Sequence, residues 1–149
     1  MCVDTLKDDY QTSGKDSIAL KNKIIRKFEN TNQFYIKNGF MNLVASFDYH
    51  PTKFVYFGSY YNGLTDINTA KRELMLNLYF NNNAVNPYGT TSSILSLKLS
   101  DGIYEKFMEA GLDLSDSIAV ILKANTANGT EEMKCKMALE DILLPGSFN

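Results

Sequence analysis

Between Ser93 and Ala124 the alternation of apolar and polar positions changes period twice, and only here do strand, helix and strand signals follow one another directly. Leu95, Leu97 and Leu99 alternate with Ser96 and Lys98, the period-two pattern of a half-buried strand. Ser100 supplies an N-cap and Asp101 suits the positive end of a helix. Ile103, Phe107 and Ala110 then recur along one helical face, and Gly111 offers a residue able to close the C-terminus. A helix is therefore predicted over about residues 101–110. The run from Ser117 to Lys123 is nearly continuous in apolar, often β-branched residues and reads as a strand buried on both faces.

Elsewhere the pattern is that of strands and turns. Ile18, Leu20, Ile24 and Phe28 alternate with Lys21, Lys23 and Lys27, giving one core-facing side and one lysine strip if the segment is extended. Phe34 and Ile36, then Asn38-Gly39, then Met41, Leu43, Ala45 and Phe47 make the strongest hairpin signal, because Asn-Gly enters the left-handed region at low cost. His50-Pro51 ends the second strand of that hairpin. From Lys53 to Tyr61, Phe54, Tyr56 and Tyr60 fall on one face and Val55, Phe57 and Tyr61 on the other. Leu74, Leu76, Leu78 and Phe80 give a core strand. The polar stretch from Asn81 to Ser93 reads as the longest loop, and Met133, Cys135, Met137 and Leu139 make a last amphipathic strand after the turn at Asn128-Gly129.

Together these elements predict a mainly β protein, an antiparallel β-sandwich or small barrel of about seven or eight strands with one short helix. Residues 1–16 read as a polar N-terminal arm, 17–144 as a single β-rich domain and 145–149 as a C-terminal tail.

Composition narrows the function classes. At 149 residues, 44% hydrophobic and 21% charged, the chain has the make-up of one globular domain with its own core. A net charge of −2 gives no overall attraction to phosphate or to anionic membranes. Thirteen lysines against two arginines, Arg26 and Arg72, leave few groups suited to bidentate phosphate recognition. Cys2 and Cys135 form no CxxC pair or disulfide framework, and no apolar run approaches a membrane span or a signal peptide, so a cytoplasmic protein with no membrane contact is expected, in a host cytoplasm or a virion if phage-encoded. Fifteen asparagines and the excess of lysine over arginine reflect codon bias and carry no mechanism.

Chemistry-bearing constellations are scarce. The single histidine, His50, has no Cys, His or paired carboxylate at ligand spacing, so no metal site is predicted, and there is no phosphate-cradling glycine motif or cofactor signature. Cys135 sits on the apolar side of its strand, an inert setting for a thiol. No catalytic residue is assigned and a non-enzyme is expected.

Two functional expectations follow. The first is a structural or interaction protein within a larger assembly, an auxiliary component of a phage particle being one example. Its partners would be protein subunits, copies of itself included, with contacts from Asp8, Asp9 and Tyr10 of the arm, Asn82 and Tyr88 of the long loop, and Phe148 of the tail. The second is a single-stranded nucleic-acid-binding protein of OB type, with Tyr56, Tyr60 and Tyr61 stacking bases and Lys21, Lys23, Lys134 and Lys136 following phosphates.

Overall fold

The computed structural model describes residues 3–5, 23–29, 33–52, 55–61, 66–81, 89–99 and 101–142. In chain order the strands are β1 (Val3–Thr5), β2 (Lys27–Glu29), β3 (Tyr35–Lys37), β4 (Phe40–Tyr49), β5 (Val55–Tyr60), β6 (Ile67–Asn68), β7 (Glu73–Asn81) and β8 (Gly89–Lys98). Helix α1 (Asp101–Glu109) follows, then β9 (Ser117–Thr126), β10 (Gly129–Ala138) and a 3-10 turn at Leu139–Ile142. They make two sheets, one in the order β1-β5-β7-β9-β10 with β6 on β7, the other with β4 between β8 on one side and both β2 and β3 on the other. The fold is a mainly β sandwich with one helix, as the alternation predicts.

The alternation also sets what lies between the sheets. Met41, Leu43, Ala45 and Phe47 of β4 face Val55 and Phe57 of β5, Leu74, Leu76, Leu78 and Phe80 of β7, and Ile118, Val120 and Leu122 of β9, all buried. At the centre the rings of Phe47, Phe57 and Phe80 stand 4.9, 5.5 and 5.0 Å apart, with Phe47 and Phe57 edge to face. Such pairs add about 0.5–1.5 kcal/mol beyond the area they bury. Ser59 faces the same interior, and its hydroxyl has no hydrogen-bond partner.

The turns behave as the residues require. Asn38 and Gly39 both take positive φ, 55° and 85°, and join β3 to β4 with the tight two-residue geometry that Asn-Gly favours. At the β9–β10 turn only Gly129 is left-handed (φ 100°), directly opposite Thr126. Helix α1 ends in a Schellman cap: Gly111 (φ 91°) donates to Met108 O at 3.0 Å and Leu112 to Phe107 O at 3.3 Å, with Phe107 and Leu112 both buried. The N-cap expected at Ser100 lies outside the described residues.

Four details differ from the sequence expectation. Two pairings are parallel, β1 with β5 and β7 with β9; the chain reaches β9 from β7 only after crossing to the other sheet through β8 and α1, the long connection that parallel neighbours need. Residues 3–5, expected in a separate polar arm, form β1 on the edge of the larger sheet. Gly89 to Ser93, expected as loop, are strand, because ten-residue β4 gives them a full ladder from Tyr49↔Gly89 to Phe40↔Lys98. Lastly, β9 alternates rather than burying both faces: Ile118, Val120 and Leu122 are fully enclosed, while Ala119 and Ile121 are partly open.

The segment before β2 also breaks its expected parity. Ile24, placed on the core side by alternation, is 57% exposed, whereas Ile25 is buried. The cause is a change of sheet. Lys23 donates to Phe80 O (2.7 Å) and Ile25 to Asn125 O (3.0 Å), but Arg26 donates to Ser46 O (2.8 Å), so the chain leaves the larger sheet and joins the smaller within three residues. The bend resets which side chains point inward, and Phe28 is buried again.

Candidate interaction surfaces

Three surfaces carry the exposed chemistry. The first is the outer face of the four-stranded sheet. Its rows follow from register: Asp48 beside Thr90, Ser46 beside Ser92, Val44 beside Ile94, Asn42 beside Ser96. Hydroxyls on β8 donate back across the sheet, Thr90 Oγ1 to Asp48 Oδ1 (2.6 Å), Ser92 Oγ to Glu29 Oε2 (2.6 Å) and Ser96 Oγ to Asn42 Oδ1 (2.6 Å). Arg26 completes one end with a bidentate pair, Nε to Asp48 Oδ1 and a terminal nitrogen to Oδ2, both 2.8 Å. The Arg26 hydrogen bond holds the Asp48 carboxyl below the usual carboxylate range; partial burial works against this, and the Thr90 hydroxyl reinforces it.

This polar ladder is interrupted by an apolar patch. β2 ends opposite Val44 and β3 begins opposite Asn42, so two strands share one flank of β4 and leave an opening there. An open groove of about 250 Å³ lies at that opening, lined by Gln33, Tyr35, Asn42, Leu43, Val44 and Ile94. Ile94 is 77% exposed and Tyr35 54%. Isolated surface apolar residues are ordinary; here two large ones flank one groove. The alternation from Ser93 to Leu99 that places Ser96 and Lys98 outward puts Ile94 on their face by parity; what it does not carry is the groove beside Ile94, which depends on the gap between β2 and β3.

The second surface is the outer face of the six-stranded sheet, where register aligns Tyr60, Asn77, Lys123 and Glu132 in one row and Met75, Ile121 and Lys134 in the next. Tyr56 lies in the row of Asn81, and Lys136 in that of Glu73 and Ala119. Of the residues proposed for base stacking and phosphate contact, Tyr56, Tyr60, Lys134 and Lys136 thus share a face, but the tyrosines stand on β5 and the lysines on β10. Three strand spacings, roughly 14 Å, separate them. Lys123 between them pairs with Glu132 at 3.8 Å. Tyr61 is corrected: it is 3% exposed in the core and has no ring face free to stack. Lys23 is exposed at the junction of β7 and β9, its backbone bonded to Phe80, and Lys21 lies outside the described residues. Tyr79 was not foreseen; by register it lies on this outer face, opposite Gly58, yet it is buried there.

The third surface is a cleft of about 390 Å³ between β6 and the end of α1, lined by Ile67, Thr69, Lys106, Glu109 and Ala110. Among the described residues there is no group of three or more His, Cys, Asp or Glu arranged to hold a metal. His50 Nδ1 meets the backbone N–H (3.2 Å) and hydroxyl (2.9 Å) of Thr52, the placement of a turn residue. Burial pushes the Cys135 thiol up to about 11, far from the range of a nucleophile. The expected assembly contacts Asp8, Asp9, Tyr10, Asn82, Tyr88 and Phe148 all lie outside the described residues. No described helix is long and apolar enough to cross a membrane.

No family model and no curated protein matches this chain. Solved structures do resemble it. A toxin-related protein of Parabacteroides distasonis is similar at a TM-score of 0.64 and 11% identity, over 95% of this chain and 63% of its own. A NigD-like immunity protein of Bacteroides caccae gives 0.61 and 16%, over 93% and 64%. A Bacteroides vulgatus protein of unknown function gives 0.53 and 17%, over 93% and 56%. The chain therefore spans less than two thirds of the length of each of these neighbours, and at such identities the likeness is one of fold: this β-sandwich architecture recurs in larger proteins of Bacteroides and Parabacteroides.

Proposed function

We propose that the protein is a non-enzymatic interaction protein that works by contact inside a larger assembly. The observation that carries this reading is the apolar patch of Tyr35, Val44 and Ile94 around an open groove, on a sheet face where Thr90, Ser92 and Ser96 are tied to Asp48, Glu29 and Asn42 in a polar ladder. A fixed ladder supplies a rigid surface, and an exposed apolar centre supplies the area whose burial drives association. The neighbours titled toxin-related and immunity-like share only the fold and select no partner; a phage particle is one assembly of the required kind.

The test is the native mass of the protein in an extract of its source cells, followed with a tag. The unaltered chain is expected to run far above its own 16.8 kDa, and Tyr35→Asp to release it while melting remains cooperative. A chain that runs as free protein in the extract contradicts the reading.

One observation favours the second reading, a single-stranded nucleic-acid-binding protein: Tyr56, Tyr60, Lys134 and Lys136 share one sheet face. Such binding would weaken by about 0.7 log units per contacted phosphate per decade of salt, and Tyr60→Ala would cost about 1–3 kcal/mol of affinity. No binding of an oligonucleotide at low salt, measured by fluorescence anisotropy, removes it.

A further inference from the structure

Strand β8 forms one edge of the four-stranded sheet, and the phase of its ladder shows which way its backbone groups point. Leu99 donates to Gly39 O at 2.9 Å, continuing the β4–β8 register one step beyond Phe40↔Lys98. In an antiparallel ladder the bonded pairs alternate, so Thr91, Ser93, Leu95 and Leu97 bond to β4, while the N–H and C=O of Thr90, Ser92, Ile94 and Ser96 point away from it. No described strand pairs with that side. One outward carbonyl, that of Ile94, accepts the Ser93 hydroxyl at 3.3 Å and keeps a lone pair for a second donor.

An edge of this length is ordinarily guarded by lysine, proline, a bulge or an inward charge. From Gly89 to Leu97 the sequence Gly-Thr-Thr-Ser-Ser-Ile-Leu-Ser-Leu has none of these. The hydroxyls of Thr90, Ser92 and Ser96 lean back onto β4 and β2, so none of them caps the outward backbone groups.

We propose that this edge takes a second copy of the same chain, β8 pairing antiparallel with β8 of the other copy about Ile94. The idea deepens the interaction reading above by naming one contact of that kind. Two features of the strand select a second copy as the occupant. The absence of charge from Gly89 to Leu97 lets identical edges meet without like-charge repulsion, the usual obstacle to self-pairing. An antiparallel pairing centred on Ile94 also sets like against like at its neighbours, Ser92 of one copy against Ser96 of the other. Centred there, Ile94 exchanges both backbone hydrogen bonds with its twin, Ser92 pairs with Ser96 of the other copy, and Lys98 falls opposite neutral Thr90. The two Ile94 side chains come together on the outer face beside Val44 and Tyr35, so the exposed patches of both copies merge into one strip.

The experiment is sedimentation velocity on the purified full chain across a concentration series, with two variants. The unaltered chain is expected to form a dimer, with a dissociation constant in the micromolar range of a small interface. Ile94→Lys places two like charges against each other at the twofold and should raise that constant at least about 100-fold. Ser92→Pro removes the outward N–H together with the hydroxyl that donates to Glu29, leaves the bonds to β4 in place, and should raise it about tenfold. Both variants should still melt cooperatively when dilute. A chain that is monomeric at about 100 μM, or a dimer that neither variant weakens, overturns the proposal. A monomeric purified chain that still runs in a large complex in extract would overturn the homotypic contact alone and leave the interaction reading standing.

Discussion

Strands β8 and β10 are both ten residues long and both lie at a sheet edge, yet they are built oppositely. β10 alternates Met133, Cys135 and Met137 with Glu132, Lys134 and Lys136, and it runs alongside β2 and β3 of the other sheet. There Glu131 Oε1 accepts the Phe28 N–H at 3.5 Å and Oε2 the Thr126 hydroxyl at 3.2 Å, while the 3-10 turn that follows offers Asp141 O to Gly39 N–H at 2.8 Å. β10 is thus charged on its outer face and seated against the second sheet along one side of the sandwich. β8 carries no charge from Gly89 to Leu97, its one charge being Lys98 at the strand's end, and no described strand bonds to its outer edge. The contrast teaches that, among the described residues, one edge is tied to the second sheet by hydrogen bonds while the other keeps its outward backbone groups unpaired by any strand, and that the exposed apolar patch lies beside the unpaired one.

The largest expected effect tests what the two edges share. Phe57→Ala removes the ring that touches Phe47 of one sheet and Phe80 of the other and should cost roughly 3–5 kcal/mol, seen as a single lowered thermal transition. Two separate transitions would mean that the sheets do not share one core. Next, Gly129→Ala should cost about 1–2 kcal/mol in denaturant unfolding. Its φ of 100° strains any other residue, and nothing lies within 4 Å of the added carbon, so strain is the whole effect. Glu131→Ala should cost about 1 kcal/mol by breaking the link between β10 and β2, and leave self-association unchanged, because the open edge lies on the other side. A new oligomer in that variant would show that Glu131 guards β10 as well as seating it.

The smallest effect concerns acid. The folded Asp48 carboxyl titrates below its unfolded value of about 3.9, so its pairing with Arg26 stabilises the fold above that value and is lost as pH falls through the lower folded one. The pair is surface-exposed, so the difference in melting temperature between the unaltered chain and Asp48→Asn should be small and constant near neutrality, and should shrink as the pH falls below the ordinary carboxylate range. A difference that grows on acidification would contradict the sign.

Much of the sandwich was legible in the alternation, because period two survives wherever one face is buried: β4, β7 and the end of β8 read directly from Met41, Leu43, Leu74, Leu76, Leu95 and Leu97. What failed did so for physical reasons. Gly89 to Ser93 lack apolar alternation because their outward partners are hydroxyl-to-carboxylate bonds with Asp48 and Glu29, which no local pattern encodes. Ile24 and Ile25 exchanged roles because the chain changes sheet at Arg26. Tyr61, grouped with Tyr56 and Tyr60 for stacking, has the parity of Val55 and Phe57, and that alternation carries it into the core. The patch at Ile94 depends on the break between β2 and β3 across the sheet, a tertiary fact that sequence spacing could not carry.

Residue-resolved amide exchange along β8 tests the open edge most directly. In dilute protein the amides of Thr91, Ser93, Leu95 and Leu97, bonded to β4, should be protected, while those of Thr90, Ser92, Ile94 and Ser96 should exchange almost as fast as in unstructured chain. On concentration the second set should gain protection in step with dimer formation. Protection of the second set in the dilute monomer, or its continued fast exchange in a concentrated dimer, would contradict an edge that is open in one copy and closed by another.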